Sequence, residues 1–393
     1  MSPTPLAVLD LLPLSSGSHP RQALDNTIEL VAKAESFGYQ RYWFAEHHLN
    51  PGVLGSSPAV EIALAAGATT TIRLGSAGVQ SGHRTPLAIV EEFGLLDARF
   101  PGRLDLGIGR SIGRPAPSDT PLDDREVIAA GVAKYRASAG GGAHEVEEIS
   151  DKGLLLPKRF DMSKLIGSPR LALTLSLLQQ PGAYVPSYEE QISDILSLLE
   201  GNYRSQDDLT AHASPGEGAE VQIWILGASG GESATVAGKH GLRFAASYHH
   251  SPSTVLDAVE AYRAAFSPSP GLAKPYVSVS ADVVVADDDA TAATHASGYG
   301  PWVRSIRSGL GAIPFPTPEE AAALEWTDEE RALVKDRVDT QLVGSPSTVA
   351  DKLEVLRDAT GADELAITTI THRHADRVRS YELLAQEWQR RQS

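Results

Sequence analysis

The amino-acid sequence predicts an α/β fold, a (β/α)8 TIM barrel with a long insertion after strand 4. Eight short apolar segments have the length and composition of buried strands, and each is followed by a segment of helical periodicity or by the insertion. Alternating strands and helices imply a parallel sheet, and eight such units suggest that the sheet closes into a barrel. Such barrels reach this length, 393 residues, as one domain when they carry insertions.

The first four units follow one another without interruption. "LAVLDLLPL" (6–14) is the first predicted strand, and the helix after it begins at Pro20 and ends before Gly38, a residue type that often follows a helix. The next three strands are predicted at 41–47, 72–80 and 103–110, with helices at 59–69 and 86–100.

The regular alternation stops at residues 111–186, which are rich in Gly, Pro and Ser. We expect this segment to be an insertion or lid within a single domain that spans 1–393. The remaining strands are predicted at 221–227, 243–249, 276–286 and 364–370, and the helices at 187–201, 231–240, 252–266, from Asp287, at 345–361 and at the C-terminus. A Pro-rich loop, "GLGAIPFPTPEEA" (309–321), is of a kind that can cover a site.

The composition disfavours several classes of function. The formal net charge is −16, and such an acidic surface argues against a nucleic-acid or anionic-membrane partner. The chain has no cysteine, which excludes disulfides and thiolate chemistry. No apolar run approaches the ~18 residues that cross a bilayer. "MSPTPLAVLD" lacks the pattern of a signal peptide, so we expect a cytoplasmic protein.

Three titratable side chains gather at the end of the second predicted strand, in "RYWFAEHHLNPG" (41–52). Side chains alternate along a strand, so His47 and His48 point to opposite sides, and Glu46 shares the side of His48. The histidine that faces the barrel interior can serve as a general base or proton donor. A structural histidine pair that holds the following loop explains these residues equally well. Other polar residues at predicted strand ends are Ser81, Arg110, Ser229, His249 and His372.

Two segments carry glycines where a strand usually carries bulky residues. "GSAGVQSG" (75–82) indicates a bulge or the close approach of a flat ligand to the backbone, with tight packing against an aromatic ring as an equal alternative. "LGIGRSIG" (106–113) resembles a dinucleotide fingerprint, but its spacing of GxGxxxG disfavours a Rossmann site. Arg110 is better explained as a fork for a phosphate or carboxylate group.

The segment "WILGASGGESATVAG" (224–238) combines a strand, a turn of small residues and the start of a helix. Backbone N–H groups at a helix N-terminus bind phosphate, and the hydroxyls of Ser229 and Ser233 can add hydrogen bonds. The segment therefore predicts a phosphate site, with simple N-capping by Ser229 as the alternative.

A histidine pair follows the last predicted strand in "ITTITHRHADR" (367–377). His372 and His374 form an HxH pair of a kind that can bind zinc. A metal-dependent barrel hydrolase would be expected to carry such a pair on its first strand, where this chain offers only Asp10. We therefore predict no metal site.

Taken together, four segments resemble the bacterial luciferase-like flavin monooxygenases, in particular the branch of alkanal-monooxygenase-type oxidoreductases. They are, in order, "WFAEHH", "IRLGSAGVQSGHRTPLAIVEEFGLLDARFPGRLDLGIGR", "WILGASGGESATVAGKHGL" and "LVGSPSTVADKLEVLRDATGADEL". The resemblance covers residues 5–110 and 220–390, whereas 111–186 matches poorly.

The resemblance implies a barrel that binds reduced flavin mononucleotide (FMN) at the C-terminal ends of its strands, with His47 as the catalytic histidine. It also implies a non-prolyl cis peptide bond between Ala77 and Gly78, next to the flavin ring. The other cofactor-binding residues that it implies are Glu91, Arg110, Gly227, Ala228, Ser229, Gly230, Ser233 and Ser247.

Two positions depart from the luciferase pattern. Ala228 stands where luciferase has a glutamate in its phosphate loop, and Gly109 stands at the position of its reactive cysteine. Both departures argue against assuming light emission or an aldehyde substrate.

The resemblance implies an enzyme that receives reduced FMN from a separate NAD(P)H:flavin reductase. A C4a-peroxyflavin formed with O2 would then oxygenate a small organic substrate. The absence of a convincing NAD(P)H fingerprint agrees with an outside reductase. One alternative is an F420-dependent oxidoreductase that transfers hydride, and another is a non-catalytic flavin-binding barrel. The resemblance also implies a homodimer.

Overall fold

The computed structural model describes residues 4–110, 146–166, 168–180 and 183–392. Its centre is a closed barrel of parallel strands, because each strand pairs with the next and the last pairs with the first. The strands are β1 Leu6–Asp10, β2 Arg41–Phe44, β3 Arg73–Ser76, β4 Leu104–Gly109, β5 Gln222–Gly227, β6 Arg243–Ser247, β7 Val277–Val285 and β8 Glu364–Thr368. The predicted (β/α)8 barrel is confirmed.

Helices surround the barrel. They are α1 Pro20–Phe37, α2 Pro58–Ala65, α3 Pro86–Arg99, α4 Ser163–Ile166, α5 Pro169–Leu178, α6 Tyr188–Glu200, α7 Glu232–Lys239, α8 Val255–Ala265, α9 Asp289–Ala296, α10 Tyr299–Arg307, α11 Pro318–Ala322, α12 Asp328–Asp339, α13 Pro346–Thr360 and α14 His374–Gln392. Within the described residues, no helix is both long and apolar enough to span a membrane. The cytoplasmic location stays a prediction.

Local sequence signals set several helix ends. In α1, Pro20 occupies the first turn, where its missing N–H costs nothing, and Gly38 ends the helix with a φ of 90°. The helix α6 begins with a capping box in which Ser187 and Glu190 bond each other's backbone N–H groups. It ends at Gly201, which has a φ of 70°. Glycine adopts this left-handed conformation without steric cost.

The structure differs from the predicted elements in several places. The third strand, predicted at 72–80, ends at Ser76, and Val79–Gln80 forms a separate short strand that pairs with β4. The first strand ends at Asp10 rather than at residue 14, because Leu12 has a φ of 50° and donates its N–H to the Asp10 side chain. The second strand ends at Phe44 rather than at residue 47. Between β7 and β8 the chain also forms α10, α11, α12 and a short strand, Leu342–Gly344, which were not predicted.

Part of the predicted insertion can be compared with the structure. Residues 111–145 lie outside the described residues. The described part contains a small antiparallel hairpin, Glu148–Ile149 with Leu155–Leu156, followed by the short helices α4 and α5.

A buried charge network fills the N-terminal end of the barrel. Arg41 on β2 donates to Asp105 on β4 and to Glu364 on β8, each at 2.8 Å. Arg73 on β3 reaches the other oxygen of Asp105 at 2.8 Å. Both carboxylates are fully buried, so this pairing is what makes their charge tolerable.

A layer of aromatic rings covers this network. Trp43 on β2 and Trp224 on β5 meet edge to face, with ring centroids 4.9 Å apart. The indole N–H of Trp43 donates to Asp105 below it at 2.9 Å. The two tryptophans therefore close the barrel interior between this network and the C-terminal end of the strands.

Glycines let β3 and β4 approach each other closely. A Cβ atom on Gly107 would lie 1.9 Å from the backbone oxygen of Ser76, and one on Gly75 would lie 2.5 Å from that of Asp105. The Ser76 hydroxyl donates to the Gly107 carbonyl at 2.8 Å and accepts from its N–H at 3.0 Å. Of the two interpretations of segment 75–82, tight packing explains Gly75, where a Cβ atom would also lie 2.9 Å from the Trp43 ring.

Candidate active site

A cavity of about 300 Å³ lies at the C-terminal end of the strands, above the two tryptophans. This is the end at which barrels of this kind place their active sites. The predicted site residues that line it are His47, Ala77, Arg110, Gly227, Ala228, Ser229, Ser233 and Ser247. Three other predicted residues, Gly78, Glu91 and Gly230, are not part of the lining.

Glu91 lies on α3 and is half-buried. It is four residues from both Leu87 and Leu95, and residues at this spacing share one helix face. The two leucines are 45% and 63% exposed, so that face points away from the barrel. Glu91 is not among the residues that line the cavity, and its role at the cofactor stays a prediction.

The two glycines outside the lining sit close behind it. A Cβ atom on Gly78 would lie 2.9 Å from both the Gly107 carbonyl oxygen and the Gly109 N–H nitrogen, so Gly78 faces β4. A Cβ atom on Gly230 would lie 3.0 Å from the Asp257 carbonyl oxygen, so Gly230 faces α8. Both positions allow close backbone packing beside residues that do line the cavity.

The His47 side chain points into the cavity from the end of β2. Its backbone N–H donates to the Gly55 carbonyl at 2.7 Å, and its ring atom Nδ1 is buried without a hydrogen-bond partner among the described residues. Burial and, to a smaller extent, the neighbouring His48 lower the pKa of His47 to about 4, although Glu46 acts in the opposite direction. At neutral pH the imidazole is uncharged and able to accept a proton.

Glu46 and His48 lie on the other side of this segment, as the alternation predicted. One carboxylate oxygen of Glu46 contacts Nε2 of His48 at 2.9 Å and Nε2 of His83 at 2.8 Å, and the other accepts the Gln80 N–H at 3.0 Å. Burial alone would raise the pKa of Glu46, but these hydrogen bonds outweigh it and lower the pKa to about 2. We call Glu46, His48 and His83 the carboxylate clamp.

The carboxylate clamp has the residue types of a metal site, since one ligand atom from each residue lies within 4.8 Å of the others. However, both imidazoles hydrogen-bond to the same oxygen, and the Arg84 guanidinium lies 3.6 Å from that oxygen. A cation bound there would sit beside this fixed positive charge. Hydrogen bonding therefore accounts for the cluster.

The predicted HxH pair does not converge on a common point. His372 Nε2 lies 3.0 Å from the Ser16 carbonyl oxygen, whereas His374 Nε2 lies 3.4 Å from the Glu29 carboxylate. Neither histidine lines the cavity.

Backbone atoms form the wall of the cavity between β3 and β4. The peptide bond between Ala77 and Gly78 is cis, and Ala77 faces the cavity. A Cβ atom on Gly109 would have the Val79 carbonyl oxygen, at 3.9 Å, as its nearest neighbour, so the space above Gly109 is open. This wall can accept a flat ring close to the backbone, as the first interpretation of the small residues in 75–82 expected.

Arg110 and the N-terminus of α7 lie at one end of the cavity. Arg110 follows β4 and pairs with Glu232 at 2.6 Å. The first turn of α7 has no side-chain cap, because its N-cap residue is Gly231. Capping by Ser229 is therefore wrong, and Ser229 and Ser233 instead line the cavity beside this helix start. The arrangement suits a phosphate group.

The cavity also contains polar residues that were not assigned to catalysis or to the cofactor, although His249 was expected at a strand end. His249, His250 and Ser280 line it near Ser247, and so do Ser278 and Glu232. The adjacent histidines at the end of the sixth strand, in "SYHHSPS", repeat the signal that singled out His47 and His48. That signal could have identified them.

Comparison with known proteins identifies the family. The sequence model of the luciferase-like monooxygenases matches residues 4–124 and 195–364. The chain belongs to this family. A relative, the Bacillus subtilis (strain 168) protein YvbT, is 33% identical over 390 residues, covering 99% of this chain and 98% of YvbT.

Solved luciferase-like structures share the fold. Apo-MsnO8 is 27% identical, with a TM-score of 0.72 and 98% of both chains covered. The oxygenating constituent of 3,6-diketocamphane monooxygenase from Pseudomonas putida, in complex with FMN, is 20% identical, with a TM-score of 0.57 and 98% of both chains covered. An F420-dependent secondary alcohol dehydrogenase is 14% identical, with a TM-score of 0.59, covering 98% of this chain and 99% of that one.

The residues present fit a cofactor of the flavin type. Arg110 and the uncapped start of α7 suit its phosphate, and the open backbone wall at Ala77 and Gly109 suits a flat ring. The unpartnered Nδ1 of His47 lies in the same cavity.

Proposed function

We propose that this luciferase-like protein is a flavin-dependent monooxygenase that receives reduced FMN from a separate reductase and uses O2 to oxygenate a small organic substrate. One observation carries the proposal: a single cavity joins Arg110 and the uncapped start of α7, at one end, to an open backbone wall and a buried neutral histidine. Bound reduced FMN supplies the electrons that activate O2.

Each part of the site has a distinct task. Arg110, with the hydroxyls of Ser229 and Ser233, binds the phosphate and fixes the position of the cofactor. The Trp43–Trp224 layer closes the barrel below the cavity and excludes water from that side. His47 accepts or donates a proton at the reacting centre, because its ring is neutral and its Nδ1 has no competing partner among the described residues.

In this proposal the Glu232 carboxylate competes with the phosphate group for Arg110. Its carboxylate pairs with Arg110 at 2.6 Å, at the position where a phosphate oxygen would be expected to bind the same guanidinium. Both side chains are partly exposed, so the pair is weak and a dianionic phosphate can displace the carboxylate.

An anaerobic titration followed by exposure to O2 tests the proposal. We expect the protein to bind reduced FMN and to change the absorbance course of flavin oxidation relative to free reduced FMN. Binding of F420 with no binding of reduced FMN would replace the monooxygenase by a hydride-transferring oxidoreductase. If neither cofactor binds, the enzymatic proposal is wrong.

We further propose that the protein is a homodimer that pairs through α2 and α3. The outer faces of these helices carry Val60, Leu64, Leu87 and Leu95, which are 45–63% exposed. Neighbouring apolar side chains on two adjacent helices are typical of an interface. Sedimentation analysis of the wild type and of Leu64→Glu tests this, with a dimer expected for the former and a monomer for the latter. A monomeric wild type would contradict it.

A further inference from the structure

A chain of hydrogen-bonding groups crosses one wall of the cavity. His250 Nδ1 lies 2.7 Å from the Ser247 hydroxyl, and the same hydroxyl lies 3.1 Å from His249 Nδ1. His249 Nδ1 also contacts the Ser280 hydroxyl at 2.6 Å. All four residues line the cavity. The series of contacts runs from Ser280, which is buried, to His250, which is exposed to solvent. We call His249, Ser247 and His250 the serine–histidine chain.

One assignment of the protons satisfies these contacts, and it begins with Ser280. The Ser280 hydroxyl donates to the Ala246 carbonyl at 3.3 Å, so it accepts from His249 at its other contact. His249 therefore carries a proton on Nδ1. The Ser247 hydroxyl can then donate its own proton to Nδ1 of His250, which leaves the proton of His250 on Nε2. In this assignment Nδ1 of His249 donates to Ser247, and the Ser247 hydroxyl donates to Nδ1 of His250.

We propose that the serine–histidine chain relays protons between the cavity and solvent. When a group in the cavity gives a proton to Nε2 of His249, Nδ1 of His249 passes its proton to Ser247. Ser247 passes its hydroxyl proton to Nδ1 of His250, and Nε2 of His250 releases one proton to water. Each group gains and loses one proton, and the reverse sequence delivers a proton to the cavity.

The inference rests on the proposed function, because a monooxygenase must exchange protons with solvent as one O2 oxygen leaves as water. His47 lies in the same cavity but its Nδ1 has no hydrogen-bond partner among the described residues. A neutral imidazole is needed at each end of a relay, since only the neutral ring both donates and accepts. Burial lowers the pKa of His249 well below its usual value, and the nearby His250, Arg337 and His47 act in the same direction.

The same contacts would also be present if these residues only shaped the turn after β6. The backbone N–H of His250 donates to the Ser247 hydroxyl at 3.4 Å, and the rings of His249 and His250 stack with centroids 5.2 Å apart. A test must therefore measure proton movement itself rather than stability or activity.

Exchange of the His249 ring proton with solvent provides that measurement. Protein labelled with ¹⁵N-histidine is studied by NMR without cofactor, as wild type, Ser247→Ala, His250→Ala and the control His212→Ala, which changes an exposed surface histidine. We expect His249 to carry its proton on Nδ1. Exchange of that proton should slow by about tenfold or more in Ser247→Ala and His250→Ala but not in His212→Ala.

Added free imidazole should restore exchange in His250→Ala, where it can take the place of the missing ring, but not in Ser247→Ala. Circular dichroism verifies that each variant is folded. Unchanged exchange in both chain variants, or a His249 proton on Nε2, would overturn the relay.

The relay and the proposed function can fail separately. Titration of the same variants with reduced FMN reports on the cofactor site without using proton exchange. Normal FMN binding with unchanged exchange would remove the relay and leave the monooxygenase proposal intact. Absence of FMN binding in the wild type, with exchange slowed in the two chain variants, would remove the monooxygenase proposal and leave the relay of protons intact.

Discussion

The Glu46 carboxylate accepts a hydrogen bond from Nε2 of His83 at 2.8 Å, and this contact joins the end of β2 to the turn that follows β3. His47 is the next residue along the chain, so the carboxylate clamp holds the backbone from which the His47 ring enters the cavity. The Gln80 side chain adds to this connection by donating to the Glu46 carbonyl at 2.7 Å. Glu46 is therefore a positioning residue for the proposed active site.

Replacing Glu46 with Gln should destabilise the protein at neutral pH. The carboxylate is fully buried and shares its charge among several donors, so its loss should lower the free energy of unfolding by about 1–3 kcal/mol. Urea unfolding measures the change. Glu92→Gln is the control, because Glu92 also binds an arginine but is 37% exposed, and it should cost less than about 1 kcal/mol. Equal effects of the two substitutions would contradict the role of the clamp.

The contribution of Glu46 should also depend on pH. Its folded-state pKa is about 2, below the ordinary value of 4.5, so the folded state favours the charged form. The stabilisation is present above pH 4.5 and is lost as the pH falls towards 2, with a total of about 3 kcal/mol. The difference in unfolding free energy between wild type and Glu46→Gln should therefore shrink from pH 5 downwards. A difference that stays constant or grows with acidity would contradict this.

His47→Ala should retain FMN binding and slow the reaction of bound reduced FMN with O2. Loss of a positioned general acid or base typically lowers such a rate by about 10²–10⁴-fold. The folded pKa of about 4 means that His47 stays neutral from pH 6 to 8, so the wild type should lose its His47-dependent rate only as the pH falls towards 4. Stopped-flow oxidation measures both effects, with His372→Ala as a control outside the cavity. An unchanged rate in His47→Ala would refute the catalytic role.

Two glycines on β4 should respond differently to replacement by Ala. A Cβ on Gly107 would collide with the Ser76 backbone, whereas a Cβ on Gly109 enters open space. We expect Gly107→Ala to fold poorly, and Gly109→Ala to fold normally but to bind FMN more weakly, because its methyl group occupies the cavity wall. Thermal unfolding and FMN titration separate the two outcomes. Tight FMN binding by Gly109→Ala would show that the flavin does not approach this wall.

The charge network at the N-terminal end of the barrel should be essential for folding. Asp105→Asn leaves the Arg41 and Arg73 guanidinium groups without their shared carboxylate, and breaking a buried pair in this way costs about 3–5 kcal/mol. Denaturant unfolding measures the loss. Asp25→Asn, on the exposed face of α1, is the control and should be nearly neutral. A neutral Asp105→Asn would mean that the arginines find other partners.

The barrel and the side of β2 on which His47 lies could be predicted from sequence, because both follow from periodicity. Alternation along β2 separates His47 from Glu46 and His48 even though the strand itself ends at Phe44. The resemblance to the family added the cis peptide at Ala77–Gly78 and the phosphate residues, which no local pattern specifies.

Other features depend on contacts between distant parts of the chain. His83 lies 37 positions from Glu46 along the chain, and Ser280 lies 31 positions from His249. The sequence contains no periodic signal for either contact. Glu91 was assigned to the cofactor through its motif, but its helix face is set by the packing of α3. The helix α12 was missed because its surface is mostly polar, so its capping box was its main signal.

The phosphate site at Arg110 is tested most directly by comparing the affinities of FMN and riboflavin, which differ only in the phosphate. The wild type should bind FMN about 10–100-fold more tightly than riboflavin, as expected for charge-assisted hydrogen bonds. In Arg110→Ala this preference should largely disappear while riboflavin affinity stays the same. Equal affinities for both ligands in the wild type, or an equal loss of both in Arg110→Ala, would contradict the proposed binding of FMN in this cavity.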